Sequence, residues 1–219
     1  MKTSLDLYHH GARAWQDRFD TRRLADRIEQ TLVRSAFSDE DRAFIDRAPL
    51  FFLATNDTRG RPDVSHKGGQ PGFVRVLDAR TLAFPSYDGN GMFRSLGNLV
   101  VQPRIALLFI DFERPARLRV LGRASIDPDD ALMADCPGAQ LIVRVAADFI
   151  FPNCPRYIHR MQLIEASVDA PAKGHVPPVP AWKRFTLFRD VLPRGDPAAD
   201  DRSGAGSPSV AITHDATGQ

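Results

Sequence analysis

From Leu50 onward the chain breaks into short apolar runs separated by turn residues, and this spacing restricts the fold more than any other feature. Leu50-Phe51-Phe52-Leu53-Ala54-Thr55 reads as a buried strand, and the Asn56-Asp57-Thr58-Arg59-Gly60 that follows tolerates tight or left-handed backbone. Further strands are predicted over 62–66, 72–76, 81–85, 104–111, 117–126 and 141–151, with a last one over 161–168. Six or seven short strands with only one or two helices between them favour an antiparallel barrel over an alternating βαβ sheet.

Helices are predicted around this β region. Residues 20–34 place Leu24, Ile28, Leu32 and Val33 near one face, with arginines and acids opposite. Ser38 then opens Ser-Asp-Glu-Asp, a capping-box pattern with Asp41 at the third position, for a short helix that ends before Pro49. Both are expected to form a packing lid on the barrel. Met92, Leu96 and Leu99 have helical spacing within 91–101, which Pro103 terminates. Another small helix is predicted near Pro128-Asp129-Asp130. From Arg194 onward Gly, Pro, Ser, Ala and Asp prevail, so this tail is expected to be mobile. The predicted organisation is a helical segment over 1–48 packing on the barrel, a barrel domain over 49–193 and a flexible tail over 194–219.

Composition excludes several classes of function. Lys+Arg 29 against Asp+Glu 27 gives a net charge of +2, and the arginines are interspersed with acids as in Asp17-Arg18-Phe19-Asp20-Thr21-Arg22-Arg23. Nucleic-acid binding needs clustered base and is not expected. Cys136 and Cys154 each adjoin a proline, with no CxxC pair and no matching histidine spacing, so no metal site is expected. The N-terminal residues contain no apolar signal region and no stretch is long enough to span a bilayer, which points to a cytoplasmic protein with free thiols.

Two adjacent segments carry the chemistry. The first is Pro62-Asp63-Val64-Ser65-His66-Lys67-Gly68-Gly69-Gln70-Pro71-Gly72-Phe73-Val74. The second is Phe84-Pro85-Ser86-Tyr87-Asp88-Gly89-Asn90-Gly91-Met92-Phe93-Arg94-Ser95-Leu96-Gly97-Asn98-Leu99. Each is a β-type run that brings hydroxyl, amide and cationic side chains into a glycine-rich turn, a combination suited to a phosphate monoester. A phosphate needs charge-assisted donors and free main-chain N–H groups, preferably at a helix N-terminus. The turn 89–91, Arg94 and Ser95 supply these from one side, and Ser65 and Lys67 from the neighbouring strand. Asn98 lies one turn beyond Arg94 on the same helix face.

These segments resemble the phosphate-binding half of the FMN-binding split barrel, the pyridoxamine 5'-phosphate oxidase-like family, over roughly residues 50–126. The resemblance implies a mainly β fold with flanking helices, an antiparallel split β-barrel, and a homodimer with FMN in a cleft between subunits. It places Asp63, Ser65, His66 and Lys67 at the ribityl and phosphate groups. Pro85, Ser86 and Tyr87 would lie near the ring, and Asn90, Arg94, Ser95 and Asn98 would add contacts from the turn and the short helix. Arg117 would approach the isoalloxazine, and Arg117 or Arg119 would supply a cation near its pyrimidine end. The implied activity is an FMN-dependent oxidoreductase acting on an unidentified small molecule. The alternatives are a non-catalytic flavin carrier or sensor, and a split barrel that binds deazaflavin or haem.

The chain departs from the vitamin-processing members, whose strand motif is arginine, mostly aliphatic residues and then lysine. Their C-terminal Arg-x-His clamp is not evident either, and His159 is the nearest candidate. His66 is the titratable group near neutral pH inside the motif, either an acid or base or a structural histidine. Tyr87 and Phe73 either flank the ring or belong to the core. Cys154, beside Arg156, is either redox-active or a buried structural thiol.

Overall fold

The computed structural model describes residues 7–199. The chain divides into two compact units, Met1–Ala166 and Ser167–Gln219. In the first unit three helices, α1 (His10–Arg18), α2 (Arg22–Leu32) and α3 (Asp39–Asp46), precede seven strands. These are β1 (Leu50–Asn56), β2 (Pro62–Gly68), β3 (Arg75–Val76), β4 (Thr81–Tyr87), β5 (Arg104–Asp111), β6 (Ala116–Asp127) and β7 (Ala139–Asn153). α4 (Arg94–Val101) lies between β4 and β5. The strands form one antiparallel sheet in the order β2-β1-β5-β6-β7-β4-β3, curled but not closed by hydrogen bonds between its edges. This is the mainly β, helix-flanked architecture expected from the strand spacing.

Alternation along the strands defines two faces. Phe51, Leu53 and Thr55 point inward from β1, and their register partners on β2 are Lys67, Ser65 and Asp63. The interior is built around Phe51, which is fully buried with its ring centroid 5.9 Å from Phe73, 5.0 Å from Phe84 and 5.2 Å from Phe109. Each such side chain contributes about 1.5–3 kcal/mol on burial. Gly122 permits the close approach of β6 and β7 at the register shift between Leu121 and Gly122, because a Cβ there would lie 2.2 Å from the Ala146 carbonyl oxygen.

α3 closes one side of this core. Ser38 and Asp41 form the expected capping box, Arg34 donates to both Asp41 oxygens at 2.7 and 2.9 Å, and Ile45 is fully buried. α4 is held by Leu99 in the core and by Asn98 Nδ2, which donates to Thr55 Oγ1 at 3.0 Å. These anchors leave the N-terminal end of α4 beside β2.

Several predicted elements differ. α1 is additional; its sequence has no apolar periodicity, and it is capped by His9, whose Nδ1 accepts from Gly11 N. On α2 only Ala25 is buried, while Leu24, Ile28 and Leu32 are 59%, 36% and 41% exposed. α2 is tied instead to the segment before it, through Arg13–Asp26 at 2.5 Å and Tyr8 Oη to the Ala25 carbonyl. β3 covers only the end of the predicted 72–76 strand, because 69–74 forms a turn in which Gly72 N donates to the Asp46 carbonyl. The segment near 128 is a turn followed by a 3-10 helix, Ala131–Asp135, capped by Asp130. Residues 161–166 form no strand: Met161 N donates to Phe112 O and Leu163 N to Glu113 Oε1, with no strand alongside to complete a ladder.

Within the second unit, a 3-10 helix (Ala181–Arg184) precedes α5 (Thr186–Arg189), and Lys183 Nζ pairs with Asp196 at 2.7 Å. Most of the tail expected to be mobile, 200–219, lies outside the described residues. Among the described residues no helix is long and apolar enough to cross a membrane, and no cluster of three or more His, Cys, Asp or Glu side chains could hold a metal ion.

Candidate functional site

The edge strand β2 and the end of β4 line a cavity of about 270 Å³. β2 lines it with Asp63, Ser65 and Lys67, which alternation turns inward, and β4 contributes Ser86 and Tyr87. The turn 89–93 and the first residues of α4, Arg94, Ser95 and Leu96, close it. Gly91, at φ +72°, and Phe93, at φ +47°, are both left-handed and turn the chain sharply into α4. Left-handed backbone is unfavourable for phenylalanine, and such conformations cluster at ligand sites.

Asp63 organises the floor. Its carboxylate, 16% exposed, accepts from Arg94 Nε at 3.1 Å and from Ser95 Oγ at 3.1 Å. Lys67 makes no hydrogen bond or ion pair among the described residues. Burial pulls its ammonium below the usual lysine range, and the Asp63 carboxylate offsets part of that. Burial likewise raises the Tyr87 hydroxyl above the usual tyrosine range. The N-cap position of α4, Phe93, has no capping side chain, so the main-chain N–H groups of the first turn remain open to an anion.

The structure therefore brings Asp63, Ser65, Lys67, Ser86, Tyr87, Asn90, Arg94 and Ser95 around one cavity. It does not bring His66, Pro85, Asn98 or Arg117 there. His66 projects from the opposite face of β2, with its ring 6.0 Å from Phe52 and edge-on to it. Pro85 is buried opposite Ile142 on β7. Asn98 anchors α4 to Thr55. Arg117 lies on the outer face between Ile110 and Asn153, where Arg117 Nε and Asn153 Oδ1 are both buried without a hydrogen-bond partner among the described residues. Of the remaining candidates, Phe73 belongs to the core beside Phe51, Cys136 is buried and Cys154 is exposed.

Val64, Met92, Phe93, Leu96 and Gln140 also line the cavity and were not among the expected site residues. Met92, expected only as part of a helical spacing, and Phe93 are 62% and 56% exposed beside the cavity and form an apolar rim. Gln140 enters from the start of β7, and no local motif marks it.

The outer face of the sheet is apolar as well. Phe52 stands opposite His66 on one side and Leu108 on the other, and Leu108 stands opposite Arg119. Ala54, Ala106 and Leu121 continue the row. A second cavity of about 520 Å³ lies at one end of this face, lined by Leu50, Ile110, Phe112, Met161 and Leu163 among others.

A family model described as pyridoxamine 5'-phosphate oxidase matches residues 37–170, more than half of the chain, and the chain belongs to that family. Solved structures similar to it include HupZ of Group A Streptococcus, with 20% identity over 57% of this chain and 99% of that one and a TM-score of 0.44. General stress protein 26 of Bacillus anthracis has 14% identity, covering 50% and 88%, with a TM-score of 0.40. HutZ, the heme storage protein of Vibrio cholerae, has 21% identity, covering 52% and 92%, with a TM-score of 0.39. No curated protein matches the chain.

Proposed function

We propose that the protein binds FMN by its phosphate end in the cavity between β2 and β4, and that it is an FMN-dependent oxidoreductase acting on a small molecule. The observation that carries this reading is Lys67, a partly buried ammonium with no ion pair, facing Arg94 and the open N-terminal turn of α4. Lys67, Arg94 and main-chain N–H groups of α4 would hold the phosphate, and Ser65, Ser86 and Asn90 the ribityl hydroxyls. The flavin would supply the electron or hydride chemistry, while these residues fix its position and charge environment.

The size of the cavity supports a site shared between two copies. About 270 Å³ is below the roughly 300–1,000 Å³ of pockets that enclose a whole ligand, so the ring would extend past Tyr87, Met92 and Phe93. Arg117 faces away from the interior that Lys67 faces, so one flavin would meet both most directly if Arg117 came from a second copy. Arg117 Nε and Asn153 Oδ1, an adjacent unpartnered donor and acceptor, suit the amide edge of such a ring. The apolar outer face carrying Phe52, Ala54, Ala106 and Leu108 would form the dimer contact. His66 on this face is the remaining acid or base candidate, and it too would act across the interface.

The test is the visible absorbance spectrum of freshly purified protein, followed by heat release and mass identification of any chromophore. Flavin bands with released FMN support the proposal, and bleaching by a reduced donor at a catalytic rate supports turnover over a carrier or sensor role. A released deazaflavin or haem, or failure to take up added FMN, refutes the FMN assignment.

A further inference from the structure

A phosphate site has no evident need for an acid, yet Asp63 stands between the two residues that would receive the anion. Its carboxylate contacts Arg94 only through Nε, at 3.1 Å, which leaves both terminal guanidinium nitrogens without a side-chain acceptor among the described residues. Arg94 is 58% exposed at the start of α4, where a free arginine would sample many rotamers. The second carboxylate oxygen accepts the Ser95 hydroxyl, 3.1 Å away, in the first turn of the same helix. Both contacts join α4 to β2, so one carboxylate fixes the two walls of the cavity relative to each other.

We infer that Asp63 is a positioning residue. Held by Nε, Arg94 presents its terminal nitrogens as a preformed fork for a phosphate, and the open N–H groups of α4 are kept at a set distance from Lys67. Two consequences follow. Ser95 has one hydroxyl proton and gives it to Asp63, so Ser95 is part of the brace and not a phosphate donor. The Asp63 charge is met by Arg94, so the side chains Asp63, Arg94 and Lys67 together leave one positive charge, on the residue that lacks an ion pair. The brace thus acts through the phosphate-binding group alone, and the cavity discriminates a phosphorylated ligand from its dephosphorylated counterpart. This inference rests on the phosphate site proposed above.

The experiment titrates the full chain with FMN and with riboflavin, which share ring and ribityl chain and differ in the phosphate, and follows flavin fluorescence. Asp63→Asn keeps the shape and removes the charge. It is expected to weaken FMN at least tenfold while leaving riboflavin within twofold, so that the preference for FMN falls at least about fivefold. Asp63→Ala is expected to weaken FMN further. An unchanged preference, or tighter FMN binding by Asp63→Asn, overturns the inference, the latter because Asp63 would then only repel the anion.

A second readout needs no flavin. The Arg94 Nε–H resonance, assigned by its loss in Arg94→Lys, should be sharp in the native protein and broadened by exchange in both Asp63 variants. If the native chain binds neither flavin, the proposed function fails, and this resonance alone decides the brace. An identical resonance in native protein and Asp63→Asn sinks it.

Discussion

Replacing Lys67 by methionine is expected to separate ligand binding from folding. Lys67 projects from β2 into the interior, opposite Phe51 in register, and carries its charge there without an ion pair. Methionine preserves the length of the apolar stem and removes the charge. The lost phosphate contact is a charge-assisted hydrogen bond worth about 1.5–3 kcal/mol, so FMN should bind roughly 10–150-fold more weakly. The free protein should lose no stability and gain up to about 1 kcal/mol, raising Tm by about 2–4 °C for a chain of this size. The pH dependence follows from the direction of the lysine shift. Burial lowers the folded pKa below the unfolded one, so in the window between them the unfolded chain holds more protons and the free protein gains stability as pH rises. Lys67→Met should abolish that slope. Bound phosphate favours the ammonium, so FMN affinity should fall as pH rises through the lowered Lys67 value, and this dependence should also vanish in the variant. Titration calorimetry and thermal unfolding across neutral and alkaline pH measure both. A variant that keeps native FMN affinity, or that melts below the native protein, refutes the reasoning.

The fold offers further tests. Phe51→Ala removes the ring at the centre of the aromatic cluster and should destabilise by about 3–5 kcal/mol in denaturant unfolding, provided the neighbours do not collapse into the space. Asp41→Ala removes the carboxylate half of the capping box of α3 and the Arg34 ion pair; because Arg34 is partly solvated, the loss should be about 2 kcal/mol, read from the same assay. The Asp130 carboxyl is held down to about 2, chiefly by its hydrogen bond from Arg144 and then by the main-chain N–H of Leu132. Its stabilisation is present above the unfolded carboxyl value of about 3.9 and lost as pH falls toward the folded one, so Asp130→Asn should flatten acid unfolding in that window. Leu108→Glu places a charge on the apolar outer face and should shift sedimentation from dimer to monomer, with flavin release on dilution; a dimer that persists with its flavin contradicts the shared cleft.

The strands were legible because period-two burial and turn chemistry are local properties. β5 begins and ends at the predicted residues, and β1, β4, β6 and β7 extend theirs by a few. The failures have separate physical causes. The 161–168 run has strand-like composition, but a strand exists only with a neighbour, and none lies beside 161–166. Leu24, Ile28 and Leu32 mark an apolar helix face correctly, yet periodicity does not say what covers it, and among the described residues they stay 59%, 36% and 41% exposed. At the cavity, alternation alone would have separated Asp63, Ser65 and Lys67 from His66. The motif reading grouped all four because it followed sequence adjacency instead of strand geometry. Asn98 was placed correctly on a helix turn below Arg94, but its use as an anchor to Thr55 depends on β1, forty-three positions away in the chain. Gln140 had no signal at all, since only the β4–β7 pairing carries it to the site.

β2 links the two surfaces on which the proposal depends. Asp63, Ser65 and Lys67 turn toward the cavity, Val64 is exposed at its margin, and His66 lies on the outer face beside Phe52. Because side chains alternate with every residue, a slip of one position against β1 would turn Val64 and His66 inward and Asp63, Ser65 and Lys67 out. The register is fixed at both ends: the Asp57 carboxylate accepts the main-chain N–H groups of Arg59 and Arg61 in the hairpin, and Gly69 N donates to the Pro49 carbonyl beyond the last strand pair. β2 is also an edge strand, paired only to β1, so without these pins its register would be the least constrained in the sheet. Loosening the hairpin should therefore damage the cavity between β2 and β4 and the outer face together, whereas substitutions confined to α4 should affect the cavity alone. That difference separates a shared cleft built on one strand from two independent surfaces that happen to lie nearby.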